Sequence, residues 1–87
     1  MELNSEEERL VAEAIGGSIP AFEELVRRFE QFVFAVVSRH LPKHEVESIA
    51  QEVFIAAYQS LRTLRDPAAF SGWLHGIALR RCRDFWR

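Results

Sequence analysis

The sequence predicts an all-α fold, a compact bundle of about four helices, on the strength of three observations. Apolar residues recur at spacings of three and four along nearly the whole chain, the period of helices that bury one face. No stretch alternates apolar and polar residues with period two over a useful length, so no half-buried strand is indicated. A glycine pair, Pro42 and Pro67 divide the pattern, and each has a stereochemical reason to stop or restart a helix. The 87 residues have the length of one domain that can bury a modest core without disulfides or a metal. We expect residues 1–87 to form a single unit, with a short amino-terminal helix in residues 1–17 and a main three-helix core in residues 18–87.

The first helix is predicted from Ser5 to Ile15. Ser5 and Glu8 have the spacing of a capping box, and Leu10, Val11, Ala14 and Ile15 form a narrow apolar stripe. Gly16 and Gly17 end it. The second helix follows Ser18, an N-cap residue, and Pro20 is tolerated in its first turn. Its buried side comprises Phe22, Leu25, Val26, Phe29, Phe32, Val33, Val36 and Val37, and roughly 20 residues make it about 30 Å long. Leu41 and Pro42 break the pattern, because proline lacks an amide and disfavours a helical residue before it.

The third helix carries Val46, Ile49, Ala50, Val53, Phe54, Ala57 and Leu61 inward, leaving Glu45, Ser48, Gln51, Glu52, Ile55 and Gln59 on or beside its outer face. Ile55, flanked by Gln51, Glu52 and Tyr58, is compatible both with a partner-binding strip and with the ordinary exposure of apolar surface. At the junction "LRDP" (64–67), Asp66 is the N-cap and Pro67 the first residue of the last helix. On that helix Phe70, Trp73, Leu74, Ile77, Ala78, Arg81 and Phe85 share one side, with Gly72, His75, Gly76, Leu79, Arg80, Arg83 and Arg87 toward the other. The sequence ends at "FWR" without a cap, which leads us to expect either a piece of a longer protein or a tail completed by something else.

The apolar share of 48% and charged share of 28% are those of a globular chain, which excludes a disordered one. The longest apolar run, "FVFAVV" from Phe32 to Val37, is far too short for a membrane span, and the acidic amino terminus is unlike a secretory signal. A cytoplasmic location and no membrane partner are expected. Cys82 is alone, so no internal disulfide can form. The net charge of −2 hides a polarity: residues 1–30 hold eight acidic and three basic side chains, whereas residues 62–87 hold six arginines against Asp66 and Asp84.

No constellation suggests catalysis. Gly16 and Gly17 lack the lysine and threonine of a phosphate loop, and the glutamates at 6, 7, 8, 23 and 24 suit helix amino termini. His40 and His44 have metal-ligand spacing, but Pro42 lies between them; His75 and Cys82 lack the further ligands a zinc site needs. Neither a cofactor nor a metal is expected. Arg80, Arg83 and Arg87 form a ridge at helical spacing, with Arg62 and Arg65 at the other end of the same region. Two readings stand side by side: a row of cations for phosphates with aromatic rings for unpaired bases, or complementation of a helix dipole over a plain core.

Three segments, "AFEELVRRF" (21–29), "VESIAQEVFIAAYQSL" (46–61) and "DPAAFSGWLHGIA" (66–78), resemble region 2 of bacterial RNA polymerase sigma factors, specifically the extracytoplasmic-function group. The similarity extends over residues 6–87. It implies a non-enzymatic helical domain that docks on a coiled coil of the polymerase β′ subunit and captures the melted minus-ten promoter element on its non-template strand. By the same resemblance Gln51 and Glu52 match the docking motif, with Ser48, Ile55 and Tyr58 beside it. Leu64, Arg65, Asp66, Pro67, Ala68 and Ala69 fall in the loop that holds a flipped base, and Phe70, Ser71, His75, Arg80, Arg83 and Arg87 follow on the DNA-facing helix. An anti-sigma factor is a further partner the family implies.

The departures from the family pattern are specific. Ser48 stands where an aspartate is usual, and "GIALR" (76–80) replaces a frequent "RIARN", so Gly76 and Leu79 take basic positions and Arg80 takes that of an asparagine. The family's second promoter-reading domain, for the minus-thirty-five element, is not among residues 1–87. These changes define an alternative reading, a sigma-like protein-interaction domain that binds polymerase, an anti-sigma factor or itself and no longer reads DNA.

Overall fold

A computed structural model describes residues 2–87. Among the described residues there are four α-helices and no strand: α1 (Ser5–Ile15), α2 (Ile19–Ser38), α3 (Val46–Ser60) and α4 (Phe70–Phe85). Short 3-10 turns at Lys43–Glu45, Leu61–Thr63 and Pro67–Ala69 lead into or out of α3 and α4. The longest helix, α2, is central and packs against the other three.

The start of α1 corrects the expected cap by one residue. Asn4, not Ser5, is the N-cap: its side chain accepts from the Glu7 amide at 2.8 Å, and the Glu7 carboxylate accepts from the Asn4 amide at 3.1 Å. Asparagine is at least as good an acceptor there, and this register still satisfies two free amides. Gly17 has φ of 109°, a conformation that suits glycine and turns the chain from α1 into α2. Ser18 caps α2 as expected, its hydroxyl accepting from the Ala21 amide at 3.2 Å.

One core joins all four helices. Its fully buried members include Val11 of α1, Leu25, Phe29, Val33 and Val37 of α2, Val53 of α3, and Phe70 and Leu74 of α4. Leu10, Val11 and Ala14 belong to this same cluster, so α1 is an integral wall of the core and not an appendage to residues 18–87. The rings of Phe29 and Phe70 meet edge to face, centroids 5.2 Å apart, and tie α2 to α4. Truncating either ring to alanine costs about 3–5 kcal/mol.

The predicted stripes need adjustment: Ile15 of α1 and Val46 and Phe54 of α3 are only half-buried, and α2 and α4 shift as follows. Val26 and Phe32 of α2 are only half-buried, because they lie on the flanks of the stripe and not at its centre. In α4 the buried line is Phe70, Ser71, Leu74, Ile77, Ala78 and Cys82, while Trp73, Arg81 and Phe85 are half-buried. The inward face is therefore rotated toward Ser71 and Cys82. Burial raises the Cys82 thiol above its ordinary range, because the charged form loses its solvent. At the far end of α4 the Trp86 indole N–H donates to the His40 carbonyl at 3.0 Å, fastening the end of α4 to the end of α2.

Candidate nucleic-acid and protein-docking surfaces

The segment between α3 and α4 is a loop held from beneath. Leu61 and Leu64 are buried, and Arg62, Thr63, Arg65 and Asp66 between and after them are exposed. The Asp66 carboxylate accepts from the Ala68 amide at 3.0 Å, which caps the Pro67–Ala69 turn. The expected N-cap role of Asp66 and first position of Pro67 hold, although the turn they start is a 3-10 turn and α4 proper begins at Phe70. Pro67 is half-buried, and Ala68 and Ala69 are exposed. The loop thus presents small side chains and backbone at its surface, flanked by two guanidinium groups.

Three residues expected to face DNA point elsewhere. Leu64 is 7% exposed, Phe70 1% and Ser71 5%, so their side chains are turned mostly inward. The apolar pair was needed to fill the core below the loop, and Ser71 lies on the inward line of α4 set by Phe70 and Leu74. These three residues shape the surface from below. His75, Arg80, Arg83 and Arg87 are exposed, and α4 carries them outward as the helical spacing requires.

Among the described residues the arginines divide into the three before residue 30, which are paired, and the rest, which are not and which include Arg39 at the end of α2. Arg9 pairs with Glu13, Arg27 with Glu24, and Arg28 with both Glu6 and Glu24. Hydrogen bonds from Arg28, then from Arg27, hold the Glu24 carboxyl below the usual carboxylate range, and Glu24, then Glu6, raise Arg28 in turn. Arg62, Arg65, Arg80, Arg81, Arg83 and Arg87 take part in none of the ion pairs among the described residues. Their charge is left unneutralised on the loop and on α4.

A second surface lies along α3. Ser48, Gln51, Glu52, Ile55 and Tyr58 are all exposed on one strip, Ile55 at 57% and Tyr58 at 50%. The Tyr58 and Phe22 rings meet edge to face, centroids 5.1 Å apart, and Phe22, Phe54, Ile55, Tyr58 and Gln59 line an apolar hollow of about 290 Å³. Ile19, also exposed at the start of α2, extends the apolar surface of the molecule. The sequence stripe missed the contribution of Phe22 and Phe54, whose inward spacing conceals that each also borders the outer strip.

A model of the family Sigma-70 region 2 matches residues 25–87. The chain belongs to the sigma-70 region 2 family. This sigma region 2 chain is similar to the ECF RNA polymerase sigma-E factor of Escherichia coli (strain K12), with 37% identity over 76 residues, 87% of this chain and 40% of that protein. The sigma-E factor of Haemophilus influenzae is 30% identical over 79 residues, 91% of this chain and 42% of that one. The chain therefore spans about two-fifths of the length of these curated relatives. An NMR structure of an engineered region 2 of sigmaE in complex with GTAAAA matches with a TM-score of 0.87 at 31% identity, over 97% of this chain and 90% of that chain. CnrH in complex with the cytosolic domain of CnrY matches at 0.80 and 32% identity, over 90% and 51%. The expected all-α sigma region 2 fold is the observed one, and the sigma family is not a family of enzymes. No helix among the described residues is long and apolar enough to cross a membrane.

Proposed function

We propose that this chain is the part of a sigma factor that docks on the coiled coil of the polymerase β′ subunit and captures the melted minus-ten element on its non-template strand. The observation that carries this reading is the set of six unpaired arginines on one loop and one helix of a region 2 fold. Unpaired exposed guanidinium groups are available to phosphates, and each phosphate neutralised releases condensed counterions. That an engineered sigmaE region 2 of the same fold is found with GTAAAA supports a nucleic-acid ligand.

In this reading Arg65, Asp66, Pro67, Ala68 and Ala69 frame the pocket for an extruded base, whose recognition needs backbone groups at close range. Leu64, Phe70 and Ser71 hold that frame from below. His75, Arg80, Arg83 and Arg87 follow the strand along α4. Gln51 and Glu52, with Ser48, Ile55 and Tyr58, dock on β′, where an apolar centre ringed by polar groups is the usual anatomy of a binding patch. Such a domain works in the cytoplasm and uses no cofactor. CnrH is found with the cytosolic domain of CnrY, which supports a second protein partner, an anti-sigma factor, for these surfaces.

Gly76 and Leu79 favour a second reading. Both are exposed in the middle of the α4 ridge and neither offers a charge or a hydrogen-bonding side chain, as expected of a sigma-like interaction domain that has given up DNA. Binding of the purified chain to the β′ coiled coil and, separately, to a labelled single-stranded minus-ten oligonucleotide decides between them. The first reading requires both; docking without DNA binding selects the second, and the absence of both kinds of binding contradicts both readings.

A further inference from the structure

The end of α4 remote from the loop lies beside the end of α2. The Trp86 indole N–H donates to the His40 carbonyl at 3.0 Å across 46 residues of chain, and this bond sets the two helix ends side by side. Arg83 stands one helical turn before Trp86, on the same face of α4, and is exposed. On the other side of the bond Arg39 precedes His40, and Lys43 opens the 3-10 turn that follows α2. Both side chains are exposed, and neither takes part in the ion pairs among the described residues. The carboxylates close to them in the chain are Glu45, 3.7 Å from His44, Glu47 and Asp84. Against these the two helix ends expose Arg39, Lys43, Arg80, Arg83 and Arg87.

A cation just past a helix end is favoured by the free carbonyls there, which accounts for Arg39. It does not account for Lys43, which lies beyond Pro42, nor for the placing of both beside the α4 ridge. Packed helices stand about 8–10 Å apart, so Arg39 and Lys43 begin a second row of cations offset sideways from the first. A single strand carries one row of phosphates. A duplex carries two, bordering a minor groove about 6 Å wide, and long side chains on two neighbouring helix ends can reach both rows.

We propose that Arg39 and Lys43 hold phosphates of the complementary strand where the promoter is paired again beside the melted element. The inference rests on the minus-ten capture put forward above. A strand led along α4 by Arg80, Arg83 and Arg87 meets its complement on leaving the melted segment, and the end of α2 is the cationic surface beside the end of that ridge. Contacts to phosphates position DNA without reading its sequence, so these two residues add affinity for the junction of paired and unpaired DNA. In this way α2, which otherwise serves the core, contributes a nucleic-acid contact at its last turn.

The test compares three forms of one minus-ten oligonucleotide: unpaired throughout, paired on the 5′ flank only, and paired on the 3′ flank only. Each is titrated at several salt concentrations with the wild-type chain, the Arg39→Ala, Lys43→Ala double variant and Lys43→Gln. In the wild type, pairing one of the two flanks is expected to raise affinity about ten-fold and to steepen the fall of log affinity with log salt by about 1.8, from two further phosphates of a duplex. The double variant is expected to lose the gain and the added slope, and Lys43→Gln about half of that slope. Affinity of both variants for the unpaired form should stay within about two-fold of wild type, which also shows that the fold is kept. A gain from neither flank, or a gain that the double variant retains, overturns the inference while the minus-ten reading stands. A wild-type chain that binds none of the three forms removes that reading and this inference together.

Discussion

The arginines before residue 30 and those after residue 61 have the same chemistry and opposite fates. The three early ones are held by carboxylates of α1 and α2, and Arg28 bridges the two helices through Glu6 at 2.6 Å and Glu24 at 2.9 Å. The six late ones have no carboxylate partner among the described residues, although the chain holds 13 acidic side chains against 11 lysines and arginines. A net charge of −2 thus describes neither end. Glu6, Glu13 and Glu24 pair with the early arginines, and the loop and α4 are left cationic. Local charge, more than the total, governs where a nucleic acid settles.

The contrast is broken most severely by removing the late cations. An Arg80→Ala, Arg83→Ala double variant should bind a single-stranded minus-ten oligonucleotide about ten-fold or more weakly, with an unchanged melting temperature; fluorescence anisotropy and thermal circular dichroism measure the two. Arg27→Ala, with the same change of charge, should leave the oligonucleotide affinity within about two-fold, since its guanidinium already belongs to Glu24. On the other surface, Ile55→Ala with Tyr58→Ala should weaken binding to the β′ coiled coil about ten-fold or more and leave DNA affinity intact, because buried interface aromatics carry much of a binding energy.

Smaller effects sharpen the same comparison. Gly76→Ala should stabilise the chain by about 1 kcal/mol in chemical denaturation, since a Cβ there meets nothing within 4 Å and no left-handed angle is involved. Glu24→Gln should lower the melting temperature only slightly. Because the Glu24 carboxyl is held below its ordinary range in the folded chain, its contribution is present above the unfolded carboxylate range and is lost as the pH falls through the lowered value. The difference between Glu24→Gln and wild type should therefore vanish on acidification. A difference that persisted there would place the role of Glu24 in packing and not in charge.

Much of the fold could be read from spacing because helix junctions have local causes. Gly17, Ser18, Pro42 and Asp66 act within a few residues of themselves, and α2 starts where Ser18 places it. The outer strip of α3 was legible for the same reason: Ile55 and Tyr58 interrupt a polar face. What spacing could not supply depends on which helix lies opposite. Ser71 reads as an outward polar residue until Phe70 and Leu74 turn it inward, and Asn4 outcompetes Ser5 for a cap that either could form. Phe32 reads as core, yet α4 leaves its flank half-open and sets His75 against it. Gly72 and Gly76 suggest a close approach by sequence; in the folded chain no other part of the molecule lies there, and the space faces outward.

The central claim, that the late arginines are unpaired because a strand of DNA is their partner, is tested most directly by salt. Affinity for a labelled single-stranded minus-ten oligonucleotide should be measured over a range of salt concentrations for the wild type and for Arg80→Ala, Arg83→Ala. The account predicts a linear fall of log affinity with log salt in the wild type, and a slope shallower by about 1.4 in the double variant, from two lost phosphate contacts on a single strand. Equal affinities and equal slopes for the two proteins would contradict it.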